Sequence, residues 1–280
     1  PNQPFLPRFF ITMELTLLRL AALIALVPVT LTMFRKPAKR DVVYWSTLIV
    51  ALSGTLALVI VRQSAGWSTG ISSALWLTIV ACLVFFLAAA AMTAEAWRLT
   101  PLLLPYLIVL AVLATIWDQA PERPLSPTAP LAWIGAHIVV SIATYGLITL
   151  AAVSALASWI QGRALKAKTY SPLAKLLPSL TDSETLTMRL LAISEGVLAI
   201  GLLTGIATYY TETGRFFLID HKTLFTAAVF VVVGLLLLVN ARWGVRGRAA
   251  VQAVLLAYLL LTLGYPGVKF VTDIVLAPAM

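Results

Sequence analysis

Eight long apolar runs divide this chain, and no other feature limits its fold as strongly. They fall at about 14–34, 44–62, 72–94, 100–117, 131–159, 187–210, 222–240 and 249–276, each near the roughly 20 residues a helix needs to cross about 30 Å of hydrocarbon. In lipid a backbone must satisfy its own hydrogen bonds, so each run is expected to be a helix. No alternating strand pattern competes. Composition agrees: the 280 residues are 61% apolar and 11% charged, with a mean hydropathy of +0.97. A water-soluble domain is about a quarter charged, so this chain lacks the polar surface to cover a globule. The expected fold class is an all-α polytopic membrane bundle of about eight transmembrane helices.

A formal charge of +9 raises nucleic acid as a partner. The placement of the charges gives another answer. Arg35, Lys36, Lys39 and Arg40 follow span 1, and Arg98 follows span 3. Arg163, Lys166, Lys168, Lys175 and Arg189 lie between spans 5 and 6, and Arg242, Arg246 and Arg248 follow span 7. Those 13 of the 20 basic residues share one side of an eight-span chain. Basic loops stay inside, which puts both termini outside. Membrane lipid is the expected partner, and nucleic acid is not expected.

Three stretches follow from this reading: a lead-in at 1–13, a first half of four spans at 14–130, and a second half of four spans at 131–280. The lead-in has Pro1, Pro4 and Pro7 before Met13. Basic residues come after the first apolar run, unlike a secretory signal. It reads as a retained span interrupted at Pro28. The outer loop at 118–130 holds Pro121, Pro124, Pro127 and Pro130, which stiffen it as a cap. In the inner loop at 161–188, Thr181-Asp-Ser-Glu184 fits a capping box that would start span 6. The lone Cys82 permits neither an internal disulfide nor a thiolate metal cluster.

The chain has two histidines, His137 and His221. One opens span 5 and the other opens span 7. The orientation set by lysine and arginine alone brings both to the outer face. Ser141, Thr144, Tyr145 and Ile148 follow His137 at helical steps, a stripe expected to face the bundle interior. Two imidazoles at one depth suit a metal, or the iron of haem, which needs only two axial ligands. A bare metal ion would want three or four ligands. The alternative is that each histidine caps a helix end or hydrogen-bonds at the interface.

Other candidates have plainer readings beside the functional ones. Glu195 lies inside span 6, where an acid costs about 2.5 kcal/mol or more unless paired or facing a cavity. It suits a proton or cation step, or a bond to a neighbouring helix. Glu14 and Arg19 are explained by snorkelling. Trp45, Trp67, Trp97, Trp117 and Trp133 fall near span ends, as in an aromatic belt. Trp117 and Trp133 are also placed to cover a haem edge. Arg215 and Lys222 suit haem propionates as charge-assisted donors, or ordinary interfacial charge.

Several ordered motifs carry a resemblance. Ala136-His137-Ile-Val-Val-Ser141-Ile-Ala-Thr-Tyr145 resembles the His-x-x-x-Ser-x-x-x-Tyr helix of the cytochrome c assembly proteins, the CcsA, CcmC and CcmF superfamily. Leu198-Ala-Ile-Gly201-Leu-Leu-Thr-Gly205 is similar to the glycine-containing helix before that family's signature loop. The run from Gly214 through Asp220, His221, Lys222 and Thr223 resembles a degenerate form of the loop itself, which reads roughly Trp-Gly-x-Tyr-Trp-x-Trp-Asp-Pro-Lys-Glu-Thr. Arg242-Trp-Gly-Val-Arg246-Gly-Arg248-Ala-Ala250 and Gly264-Tyr-Pro-Gly267-Val-Lys-Phe270 resemble later family stretches. The resemblance covers about residues 131–275 and is nearest to the YpjD and HemX branch. Phe216, Phe217 and Ile219 stand where the loop has tryptophans, and His221 replaces its proline. These departures move the implied role from haem delivery towards haem binding.

The resemblance implies an integral membrane haem-handling protein of a bacterial cytoplasmic (inner) membrane, with b-type haem near the outer face. His137 and His221 would be its axial ligands, with Tyr145, Asp220, Lys222 and Trp133 in support. The implied partners are other cytochrome maturation or respiratory membrane proteins, and an enzymatic activity is not implied. Two other classes fit the composition: a haem-free membrane scaffold that stabilises another complex, and a small-ion or solute permease working through Glu195.

Overall fold

The computed structural model describes residues 5–35, 39–64, 70–119, 131–214 and 221–275, with the backbone alone for 5–14, 131, 132, 221 and 273. Every regular element among them is helical. In chain order these are α1 (Phe5–Thr32), α2 (Val42–Ser64), α3 (Ile71–Met92), α4 (Thr100–Ile116), α5 (Leu131–Ala167), α6 (Pro172–Leu176), α7 (Leu180–Thr213), α8 (His221–Trp243) and α9 (Arg248–Thr262). A π-helical turn, Leu263–Gly267, prolongs α9. It contains Pro266, which has no N–H to give to the preceding turn. Eight of the helices are long and apolar enough to cross a membrane, all but the short α6. The chain is a multi-pass membrane protein.

Three expectations about local structure change. Helix α1 runs through Pro28 to Thr32 without a break. Helix α5 continues to Ala167 and α7 begins at Leu180, so the inner loop is much shorter than 161–188. With 37 and 34 residues, these two helices are about 50–55 Å long. They outreach the hydrocarbon by several turns. The cap of α7 is also earlier than expected. Ser179 Oγ accepts the Asp182 N–H at 3.2 Å and bonds the Asp182 carboxylate at 2.5 Å. Thr181 and Glu184 already lie inside the helix, and Glu184 accepts the Gly247 N–H at 3.2 Å instead.

Polar clamps hold the extended end. Gln161 is buried and its Nε2 donates to the carbonyls of Ala174 and Pro178, both at 2.8 Å. Arg98 donates to the Lys175 and Leu176 carbonyls at 2.9 and 3.1 Å. Arg40 reaches the Ala90 and Thr93 carbonyls at the end of α3. Except for Pro178, which lies between α6 and α7, the acceptors are carbonyls that helix ends leave open.

The spans form two four-helix rings. In the first, α1 packs on α2, α2 on α3, α3 on α4, and α4 back on α1. In the second the order is α5, α7, α8, α9 and back to α5. Helix α5 joins the rings by packing on α3. A Cβ on Gly146 would stand 3.1 Å from Ala81 Cβ and 3.2 Å from the Ala81 backbone, so only glycine lets the two helices come this close. A hydroxyl pair ties the rings, Tyr106 of α4 to Tyr258 of α9 at 2.5 Å, and within the second ring Tyr145 of α5 bonds Thr262 of α9 at 3.0 Å.

Candidate functional site

Side-chain contacts sort the helix termini into two ends of the bundle. Arg19 near the start of the first span meets Asp118 beyond α4, and Arg62 near the end of α2 meets the same carboxylate. At the start of α5, His137 meets Gly205 near the end of α7. Phe225 of α8 packs on Gly264 of the α9 extension, and Trp117 packs on Phe270 with ring centroids 5.2 Å apart. All these lie at one end. His221 is the first residue of α8 and belongs to it too. The loops rich in lysine and arginine lie at the other end.

His137 is half-buried, and its ring faces α7. Its Nδ1 lies 3.2 Å from the Gly201 carbonyl oxygen and 3.3 Å from Thr204 Oγ1. Thr204 gives its own hydroxyl proton to the Gly201 carbonyl at 3.1 Å. A carbonyl can only accept, so the proton sits on Nδ1 and Nε2 carries the lone pair. The ring rests in the notch left by Gly205, where a Cβ would stand 3.0 Å from Cε1. One turn along, a Cβ on Gly201 would stand 3.3 Å from Val140 Cγ1. Gly201 and Gly205 thus form a small-residue face against which α5 docks. This is how haem and metal ligands are held: one ring nitrogen is fixed by a backbone carbonyl and the other is left as donor.

The remaining sequence candidates are spread over several surroundings. Ligation by both histidines leads us to expect spans 5 and 7 side by side; instead they are diagonal across the second ring, with α7 and α9 between them. The side chain of His221 lies outside the described residues, as does Asp220. Lys222 is exposed at the first turn of α8. Trp133 is also exposed, one turn before His137. Tyr145 is two turns below His137, about 12 Å along the axis. It is buried, with its hydroxyl on Thr262 and its ring 6.2 Å from that of Tyr258. The stripe below His137 is only partly interior: Thr144, Tyr145 and Ile148 are buried, while Ser141 is exposed. Among the described residues no three His, Cys, Asp or Glu side chains converge as a metal site.

Arg19 does not snorkel. Its guanidinium pairs with Asp118, whose other oxygen takes Arg62 at 2.6 Å. Arg62 also donates to Ser72 Oγ at 3.0 Å, and Ser72 donates to the Ala114 carbonyl. The three charged side chains are at most 15% exposed, so this is a largely buried ion cluster and not interfacial charge. It ties α1, α2, α3 and α4 together at the histidine end. Residues 19, 62 and 118 are far apart in sequence, and no local pattern announces them.

Glu195 of α7 faces α8. Its Oε1 lies 2.9 Å from where a Cβ of Gly234 would stand, and its Oε2 is buried with no hydrogen-bond partner. A carboxyl here rests against bare glycine backbone.

Comparison with known proteins agrees with the motifs. The chain is 49% identical over 262 residues to an uncharacterized 28.8 kDa protein in nifR3-like 5'region from Azospirillum brasilense, covering 92% of this chain and 97% of that protein. It is 26% identical over 159 residues to Protein HemX of Brevibacillus brevis, covering 57% of this chain and 58% of that one. No solved structure matches it. The family described as Cytochrome C assembly protein matches residues 40–276, well beyond the stretch that carries the motifs and into α2. This chain belongs to the cytochrome c assembly protein family.

Proposed function

We propose that the protein binds a b-type haem at the histidine end of its second ring, in a bacterial cytoplasmic membrane, and serves cytochrome maturation or its regulation. One observation carries this reading: Nδ1 of His137 is fixed on the Gly201 carbonyl, which leaves Nε2 as a free donor. His221 opens α8 at the same end and supplies the second imidazole. Two ligands on diagonal helices suit a planar group set inside a four-helix ring. Lys222 offers a cation to a propionate. Trp133 covers the rim, and Tyr145 holds the floor through Thr262 and Tyr258. Asp220, just before the second ligand, is its natural orienting group. Haem supplies iron-centred redox chemistry, and these residues bind it and set its orientation. With the basic loops inside, this end of the ring and both chain termini are outside. Other membrane proteins of cytochrome maturation or respiration are its partners.

Absorption spectroscopy of protein purified in mild detergent tests the reading. Two imidazoles give a six-coordinate, low-spin haem with sharp α and β bands on reduction. His137→Ala or His221→Ala leaves a weaker, high-spin site. The double variant loses haem. A double variant with full haem and an unchanged spectrum would rule out both ligands.

A further inference from the structure

The end with the basic loops holds a second polar site. Between α5, α7, α8 and α9 lies a cavity of 220 Å³, lined among others by Thr181, Glu184, Thr185, Arg189, Asn240 and Arg246. It sits at the opposite mouth of the ring from His137. Pockets for drug-sized ligands begin at about 300 Å³, so the space suits a small polar group.

Its charged donors stand at the open rim. Arg189 and Arg246 are exposed there and make no hydrogen bond or ion pair with any described residue. The acid in the same cavity makes no ion pair with either. Glu184 instead accepts the Gly247 N–H at the start of α9, at 3.2 Å. Asn240 donates to the Val245 carbonyl at 2.8 Å, which braces the turn that carries Arg246. Thr181 and Thr185 add two hydroxyls with no bond of their own to any described residue. Two guanidiniums and two hydroxyls around one small space are donors in search of an acceptor-rich anion. A phosphate offers more acceptor oxygens than a carboxylate, and guanidinium forks match it.

We infer that this cavity binds the phosphate group of a monoester or diester, either an inner-leaflet phospholipid headgroup or a soluble phosphate ester. The site is independent of the haem reading. The test labels the full-length protein in detergent with phenylglyoxal and maps modified arginines by mass spectrometry. Arg242, which is outside the cavity, is the reference. Short-chain phosphatidylglycerol, glycerol 3-phosphate and a short-chain diacylglycerol without phosphate are compared. Protection of Arg189 and Arg246 by phosphatidylglycerol alone assigns the site to the leaflet. Protection by glycerol 3-phosphate assigns it to soluble esters. The Arg189→Gln, Arg246→Gln double variant should bind the protecting ligand about tenfold more weakly or worse. Absence of protection, equal protection by diacylglycerol, or unchanged affinity in the double variant overturns the proposal. The wild-type labelling decides even where the variant does not fold.

Discussion

A Cβ on Gly205 would stand 3.0 Å from Cε1 of His137 and 3.4 Å from its Nδ1. The imidazole therefore occupies space that any other residue at 205 would claim. Gly205→Ala asks the ring to give by a few tenths of an ångström. Gly205→Val displaces it and breaks the bond to the Gly201 carbonyl. We expect Gly205→Ala to keep haem with a shifted Soret band, and Gly205→Val to lose low-spin character as His137→Ala does. Identical reduced spectra for Gly205→Val and wild type would mean that the notch does not set the ring.

The carboxylate of Asp118 is shared by Arg19 and Arg62 inside the first ring. Asp118→Asn removes the charge that holds both guanidiniums there. Breaking a buried pair from one side costs about 3–5 kcal/mol, so the variant should show a clearly lower unfolding temperature in detergent. Arg62→Gln added to Asp118→Asn should recover part of the loss, because one uncompensated cation is removed. The check is a double-mutant cycle by thermal unfolding, and simple additivity would show that the cluster is not energetically coupled.

These two relationships show where sequence legibility ends. Eight spans were readable because each apolar run is long enough to cross a bilayer, and that signal is local. The signal stops where hydrocarbon stops. Helices α5 and α7 go on, because Ser179 caps α7, Gln161 of α5 holds the α6 turn between them, and the two helices pack on each other. His137 was readable as a candidate, and its end of the bundle followed from lysines and arginines. Its partner was not readable, since a stripe on one helix does not say which neighbour it meets. The spacing of Gly201 and Gly205 was the usable clue, because small residues four apart mark a close helix contact. Nothing in sequence brings residue 19 to residue 118.

Orientation can be checked directly. Arg35, Lys39, Arg98, Lys166, Lys168, Lys175, Arg242 and Arg248 all lie at the end opposite His137. A reporter fused after Arg248 should read cytoplasmic, and one inserted in the 120–130 segment should read external. The reverse result would place the histidine end in the cytoplasm and overturn the proposed external haem site.

Glu195 gives the sharpest separation between a packing role and a functional one. Its Oε2 has no partner and its Oε1 rests on Gly234, so nothing in the described structure repays the cost of a carboxyl at this depth. Replacing it by an apolar residue of similar length should relieve that cost. Glu195→Met is expected to raise the unfolding temperature, with a gain of about 1 kcal/mol or more. Glu195→Gln keeps the shape and a hydrogen-bonding head but cannot carry a proton, so it should change stability little. Gly234→Ala puts a methyl group 2.9 Å from Oε1, and the flexible carboxyl should swing away at small cost. Stabilising a functional group commonly costs activity, so if Glu195 serves the function both variants lower the yield of haem-loaded or matured cytochrome in cells. Full cellular activity of Glu195→Gln and Glu195→Met together with a higher unfolding temperature would reduce Glu195 to a packing residue. It would also remove the permease reading, which depends on that carboxyl alone.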